Sequence, residues 1–165
     1  MNKASVQHKI KRLYDALKSA HKETEAKKVI DLAQKSARGE YGIAFCGHFS
    51  AGKSRMINTI IGALLLPSSP IPTSANLVRI QKGEDYAEVR FREGKRRRYL
   101  APYDYDMIKS YAKDGDAILG ITLSSAGIDL PEGVVLFDTP GIDSSDPMHR
   151  KATEDAIHLA DLVCY

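Results

Sequence analysis

No apolar run in this 165-residue chain approaches the roughly 18 residues that a membrane span requires. The opening stretch, Met1-Asn2-Lys3-Ala4-Ser5, lacks the apolar centre of a signal peptide. A cytoplasmic location is the resulting expectation. Cysteine is scarce, with only Cys46 and Cys164. Both sit in apolar, strand-like runs, so reduced core thiols are expected rather than a disulfide framework. No His/Cys group has the spacing of a metal site. Charge of one sign is not in large excess either. The formal net charge is +3, but it is uneven: residues 1–38 carry ten Lys and Arg against four acids. That asymmetry makes only a weak case for nucleic acid, and no nucleic-acid partner is expected.

What is present is a glycine-rich turn between two apolar segments. Ile43-Ala44-Phe45-Cys46 reads as a buried strand, and Met56, Ile57, Ile60 and Ile61 follow at helical spacing. Between them, Gly47-His48-Phe49-Ser50-Ala51-Gly52-Lys53-Ser54 fits G-x-x-x-x-G-K-[ST], the phosphate-binding loop. Backbone N–H groups of such a loop can converge on phosphate oxygens, and the helix N-terminus adds positive potential. Gly52 keeps the cradle free of a side chain. Lys53 is expected to reach the β- and γ-phosphates and the Ser54 hydroxyl to ligate Mg²⁺. Arg55 follows as a further nucleotide-binding candidate.

A second motif supports this reading. Val134-Val135-Leu136-Phe137 is another buried-strand run, and it leads into Asp138-Thr139-Pro140-Gly141. An acid at the tip of an apolar strand is where a P-loop NTPase holds Mg²⁺, usually through water. The Gly141 N–H is then placed to meet the γ-phosphate. The D-T-P-G pattern points to GTPases rather than most ATPases.

The rest of the chain is organised around these two motifs. Residues 5–37 are helical in pattern, with one apolar stripe at Val6, Ile10, Leu13, Tyr14 and Leu17 and a second at Ala26, Val29, Ile30 and Ala33. The polar stretch from His21 to Glu25 is where that helix either breaks or continues. The P-loop helix is expected over 53–64. The segment 66–76, with three prolines, suits a first switch loop, in which Thr73, with Ser74 in reserve, would close over Mg²⁺ and the γ-phosphate. Strands are expected over 77–81, 86–92, 96–100 and 118–124, and Lys95-Arg96-Arg97-Arg98 is read as a solvated edge strand. A short helix is expected from Pro102 to about Lys113. The strands 118–124 and 134–137 are read as an antiparallel pair. Residues 143–147 suit a second switch loop, and Pro147 opens a helix to about Ala160. The last residues, Asp161 to Tyr165, look like the start of another core strand. No [NT]-K-x-D guanine-reading pattern occurs. The expectation is therefore the N-terminal half of an α/β nucleotide-binding domain.

These residues resemble the dynamin superfamily of large GTPases, in particular bacterial dynamin-like proteins of the DynA type. The resemblance rests on G-H-F-S-A-G-K-S-R-M-I-N, on P-I-P-T-S-A-N, on D-T-P-G-I-D and on the helical segment that leads in. It implies a P-loop NTPase fold with a mixed, mostly parallel sheet flanked by helices. Residues 1–38 would be a neck or bundle segment and 39–165 the first part of the GTPase domain. It also implies GTP binding and hydrolysis with Mg²⁺, self-association through the GTPase domain, and remodelling or fusion of a membrane from the inner face of the cell membrane. Ser50, Lys53 and Thr73 match catalytic positions, and Ser54, Thr73 and Asp138 match the metal site. Ser50 corresponds to the P-loop serine that helps bind a charge-compensating cation in eukaryotic dynamins. The residue before it, Gln in those proteins, is Phe49 here, and Ile142 stands where a Ras-like catalytic Gln would be. Two other readings remain open from the residues: a non-catalytic, nucleotide-controlled or helical interaction module, and an ATP-binding P-loop protein.

Overall fold

The computed structural model describes residues 3–66, 76–91, 93–104, 107–108, 118–141 and 147–165. The chain divides into two compact units, Met1–Glu40 and Tyr41–Tyr165.

In the first unit the polar stretch does break the helix. Helix α1 spans Lys3–Ser19 and α2 spans Glu23–Arg38, and the two are in contact. Between them His21 takes a left-handed φ of 56°, a conformation that a residue with a Cβ adopts at a cost. Lys18 pairs with Glu23 at 2.6 Å across the break. Gly39 closes α2 in the left-handed conformation, its N–H donating to the Ser36 carbonyl and the Glu40 N–H to the Lys35 carbonyl, each at 3.2 Å. Ala26 is buried, while Leu13 and Ile30, both in the expected stripes, remain largely exposed.

The second unit is one sheet with helices on both faces. Its strands are β1 Tyr41–Phe45, β2 Val78–Lys82, β3 Tyr86–Phe91, β4 Arg96–Leu100, β5 Ile118–Ser125, β6 Val134–Asp138 and β7 Leu162–Cys164. Their spatial order is β4-β3-β5-β2-β6-β1-β7. The sheet is mixed. Around the first strand it is parallel, with β1 between β6 and β7, and β2 and β5 are also parallel. The pairs β2–β6, β3–β4 and β3–β5 are antiparallel. One expectation is corrected: β5 and β6 are not hydrogen-bonded partners, because β2 lies between them. They do run in opposite directions, but the Ala126–Gly133 connection is long enough to step across one intervening strand. The alternating burial of Val78 and Ile80 suits β2 to that interior place. The basic run lies on β4 at the sheet edge, as expected. There Arg98 pairs with Glu88 at 3.2 Å and stacks over the Tyr86 ring at 4.1 Å.

Helix α3 spans Lys53–Ile61 and α4 spans Pro147–Leu159. Strand alternation sends Phe45, Ile80, Val89, Ile121, Leu123 and Leu136 to one face, where they pack with Ile57 and Ile61 of α3. The opposite face carries Ala44, Val135 and Phe137 against Ala156 of α4. Helix α3 stops at Ile61, short of the expected Leu64, because Gly62 adopts φ 64°, which turns its own N–H to the Thr59 carbonyl and the Ala63 N–H to the Asn58 carbonyl. Of the four apolar positions read at helical spacing, Ile57 and Ile61 are fully buried, whereas Met56 and Ile60 are exposed. Cys46 is buried, Cys164 is half-buried, and both are free thiols. Of the short helix expected after Pro102, Met107 and Ile108 are helical and the remainder lies largely outside the described residues.

Candidate functional site

The fold places the two motifs side by side. Strands β1 and β6 are parallel neighbours with Phe45 opposite Asp138, so both chains leave the sheet at the same end. One helix, α3, follows β1 on one face of the sheet, and α4 follows β6 on the other. The carboxyl ends of strands at such a divergence form the crevice in which α/β sheets bind ligands.

The glycine loop turns through an unusual backbone path. Gly47, Ser50 and Gly52 all have positive φ, at 147°, 60° and 86°. No heavy atom lies within 4 Å of where a Gly52 Cβ would sit, so glycine is required there by conformation rather than by space. Ser50 holds the left-handed conformation despite its Cβ, a local strain of the kind found at ligand-gripping loops. Lys53 curls back over this loop, its Nζ donating to the Gly47 carbonyl at 3.0 Å and to the His48 carbonyl at 2.8 Å. An ammonium group is thereby held at the mouth of the cradle. His48, Phe49, Ser50 and Ala51 form the exposed rim, and the Tyr165 hydroxyl lies 3.4 Å from His48 Nε2. Arg55 is also exposed and lines an open groove with Thr59 and Leu64 on the outside of α3.

Beneath the loop, the Ser54 hydroxyl donates to Asp138 Oδ2 at 2.6 Å. Asp138 is only 2% exposed, and its second oxygen, Oδ1, is buried with no hydrogen-bond partner among the described residues. Burial pushes this carboxyl above the usual carboxylate range, while the Ser54 hydrogen bond and the Lys53 charge pull it back. A hydroxyl and a carboxylate in contact, with an orphaned anionic oxygen beside them, are hard oxygen donors that fit Mg²⁺.

The remainder of the D-T-P-G motif is packed against β1 and the loop. The Thr139 hydroxyl donates to the Phe45 carbonyl at 2.7 Å, and Pro140 is fully buried. A Cβ on Gly141 would meet the Phe49 backbone N at 2.9 Å and Cα at 3.1 Å. The two motifs are therefore in backbone contact, which only glycine permits. Thr73 and Ser74 of the first switch, and residues 143–146 of the second, lie outside the described residues.

Sequence patterns did not disclose the roles of two residues. Thr139 was only a letter in a motif. Asn58, noted as part of the extended loop motif, is buried and grips one residue with both ends of its amide: Nδ2 donates to the Leu66 carbonyl at 2.7 Å, and the Leu66 N–H donates to Oδ1 at 2.9 Å. A polar residue on the helix face shared with the buried Ile57 and Ile61 was the available signal.

A phosphate loop at the end of an interior parallel strand, facing a carboxylate on the neighbouring strand, defines the P-loop NTPase class. Within that class, residues 43–165 match the Dynamin family, and the chain belongs to it. It is similar to dynamin-like protein A of Bacillus subtilis (strain 168), at 37% identity over 164 residues, covering 99% of this chain and 14% of that protein. It is also similar, at 25% identity, to an uncharacterized protein encoded in the xynA 3′ region of a Caldicellulosiruptor species, covering 97% of this chain and 42% of that protein. The chain thus spans well under half the length of these curated relatives. Two solved structures, both described as an oligomerised bacterial dynamin pair with a mechanism for long-range sensing and tethering of membranes, share the fold. Their TM-scores are 0.54 and 0.51 at 22% and 23% identity, covering 83% and 76% of this chain and 21% and 20% of theirs.

Proposed function

We propose that the chain binds GTP with Mg²⁺ and forms the first part of a GTPase domain, with residues 1–38 serving as a neck or bundle segment, in a dynamin-like protein that acts on membranes. The observation that carries this reading is the Ser54–Asp138 contact below the glycine loop, with Asp138 Oδ1 left unpartnered among the described residues. Backbone N–H groups of residues 47–54 hold the phosphate oxygens, and Lys53 leaves its two carbonyl acceptors to balance the charge shared by the β- and γ-phosphates. Ser54 and Asp138 would hold Mg²⁺. When bound, that ion supplies positive charge to the phosphate oxygens on which negative charge gathers. Hydrolysis forms a bond from a water oxygen to the γ-phosphorus and breaks the bond to the β–γ bridging oxygen, releasing GDP and phosphate. Thr73 positions that water, and Ser50 helps hold a charge-compensating cation. Gly141, seated against Phe49, reports the γ-phosphate to the second switch.

Positioning and electrostatics supply most of the catalysis in such a reaction, so turnover rises when the switches are ordered by self-association. The protein would act at the inner face of the cell membrane. The test is nucleotide binding by the intact protein and its Lys53→Ala variant, with GTP and ATP in competition, followed by phosphate release with and without vesicles. Wild-type binding of GTP that ATP does not displace, lost in the variant, is the expected result. Equal affinity in the variant would refute the site, and displacement by ATP would refute the base assignment.

A further inference from the structure

We propose that Thr139 is a positioning residue for the metal site: its hydroxyl sets the point at which β1 and β6 part, and so holds Asp138 at Ser54. The proposal rests on the Mg²⁺–GTP reading above and extends it to a residue that touches neither ion nor nucleotide.

Strands β1 and β6 stay in register up to Phe45 opposite Asp138. Beyond that rung they must separate. Gly47 begins the phosphate loop two residues after Phe45, and Pro140 lies two residues after Asp138. Without a further tie, the last paired residue would sit at a fraying end, and that residue carries the carboxylate. Thr139 adds the tie. Its side chain donates to the Phe45 carbonyl at 2.7 Å, and the residue is only 1% exposed. Both residues are buried, so water competes poorly for this bond. The consequence reaches the site through one bond. Asp138 is the adjacent residue, and its Oδ2 is held 2.6 Å from the Ser54 hydroxyl at the start of α3. Ser54 belongs to the element that follows β1, and Asp138 to the end of β6. Their distance is set by how closely the two strand ends are held, which is what the Thr139–Phe45 bond controls. Partners one step removed from metal ligands commonly tune metal affinity by fixing ligand orientation.

The experiment compares the intact wild-type protein with Thr139→Val, which keeps the shape and removes the donor, Thr139→Ser, which keeps the donor and removes a methyl, and Thr139→Cys, a weak donor of similar size. A fluorescent GDP analogue is the probe. Its retention is followed while Mg²⁺ is titrated, and its affinity is measured separately in excess chelator. Thr139→Val is expected to raise the half-saturating Mg²⁺ concentration about tenfold, the low end for an outer-shell partner. Chelator-state affinity should stay within about twofold of wild type, and Thr139→Ser should match wild type in both. A merely structural role would lower both affinities or neither. If Thr139→Val does not fold, Thr139→Cys takes its place, with a smaller increase expected beside an unchanged Thr139→Ser. An unchanged Mg²⁺ midpoint in the donor-weakened variants, against a Mg²⁺-dependent wild type, overturns the role of Thr139 alone. An equal rise in Thr139→Ser overturns it too, since the methyl rather than the hydroxyl would then matter. Retention in wild type that ignores Mg²⁺ overturns the metal reading itself, and this proposal with it.

Discussion

Replacing Asn58 by Ala should destabilise the Tyr41–Tyr165 unit out of proportion to the few atoms removed. The Asn58 amide satisfies both backbone groups of Leu66, with bonds of 2.7 and 2.9 Å. Asn58 is 5% exposed and Leu66 4%, so water is poorly placed to substitute. Each buried backbone group left unpaired costs about 1–3 kcal/mol, which gives about 2–6 kcal/mol for the variant. That is a large share of the roughly 5–15 kcal/mol that holds a typical domain folded. At about 4 °C per kcal/mol for a domain of this size, the melting temperature should fall by about 8–24 °C. Differential scanning calorimetry of the variant and wild type measures it. Asn58→Asp sharpens the test. Its carboxylate still accepts from the Leu66 N–H but sets a second lone-pair oxygen against the Leu66 carbonyl. Burial and that repulsion raise the folded-state pKa of the introduced carboxyl above its unfolded value. Protonation is then favoured by folding, so the variant should recover relative to wild type as pH is lowered from 7 towards 5. A melting temperature for Asn58→Ala within about 2 °C of wild type, or an Asp variant whose deficit does not shrink on acidification, would refute the clamp.

Two further outcomes follow from the geometry. A Cβ at Gly42 would lie 2.7 Å from the Leu159 carbonyl oxygen, 2.8 Å from Phe137 Cε2 and 3.2 Å from Ala160 Cα; Gly42→Ala should therefore cost at least about 1–3 kcal/mol, read as a lower urea midpoint at unchanged slope, and an unchanged midpoint would contradict the packing of the α4–β7 turn on β1. Asp138→Asn should stabilise the metal-free protein at neutral pH by about 0.5–2 kcal/mol while abolishing Mg²⁺-dependent nucleotide retention. The wild-type carboxyl is held above its unfolded pKa, mainly by burial, so protonation favours the folded state. The wild-type stability contributed by this group is fully present below the unfolded value and is lost as pH rises through the folded one. The advantage of Asp138→Asn should accordingly shrink as pH falls; thermal melts in chelator across that range decide it, and an advantage that grows on acidification would sink the argument.

Much of the phosphate loop is legible in its residues alone. Ile43–Cys46 had to be a strand, Gly47–Gly52 a turn, and Lys53 onward a helix, because each follows from a few neighbouring residues; the left-handed Ser50 was not legible. Asp138 was legible for the same reason, as an acid at the tip of an apolar run. The strands were legible too, since alternation is local. Their neighbours were not: β5 and β6 follow one another in the chain with only a turn between, yet β2 separates them, and nothing in the turn Ala126–Gly133 says whether it spans one strand spacing or two. Nor could helical spacing tell that Met56 and Ile60 face outward while Ile57 and Ile61 pack on the sheet, because all four lie on overlapping arcs of one short helix.

The amino-acid pattern alone thus determined which groups are on hand: a loop of the phosphate-binding pattern, its lysine, and a hydroxyl and a carboxylate of the kind Mg²⁺ prefers. Only the fold decided that these donors meet. Ser54 and Asp138 are separated by 84 positions in the chain, and their 2.6 Å contact exists because β1 and β6 pair in parallel with Phe45 opposite Asp138. The same pairing aims the Thr139 hydroxyl at Phe45, brings Gly141 against Phe49, and leaves one Asp138 oxygen buried without a partner among the described residues. Residue type is a local property, whereas register and burial belong to contacts between distant segments, and it is at those contacts that a motif becomes a site.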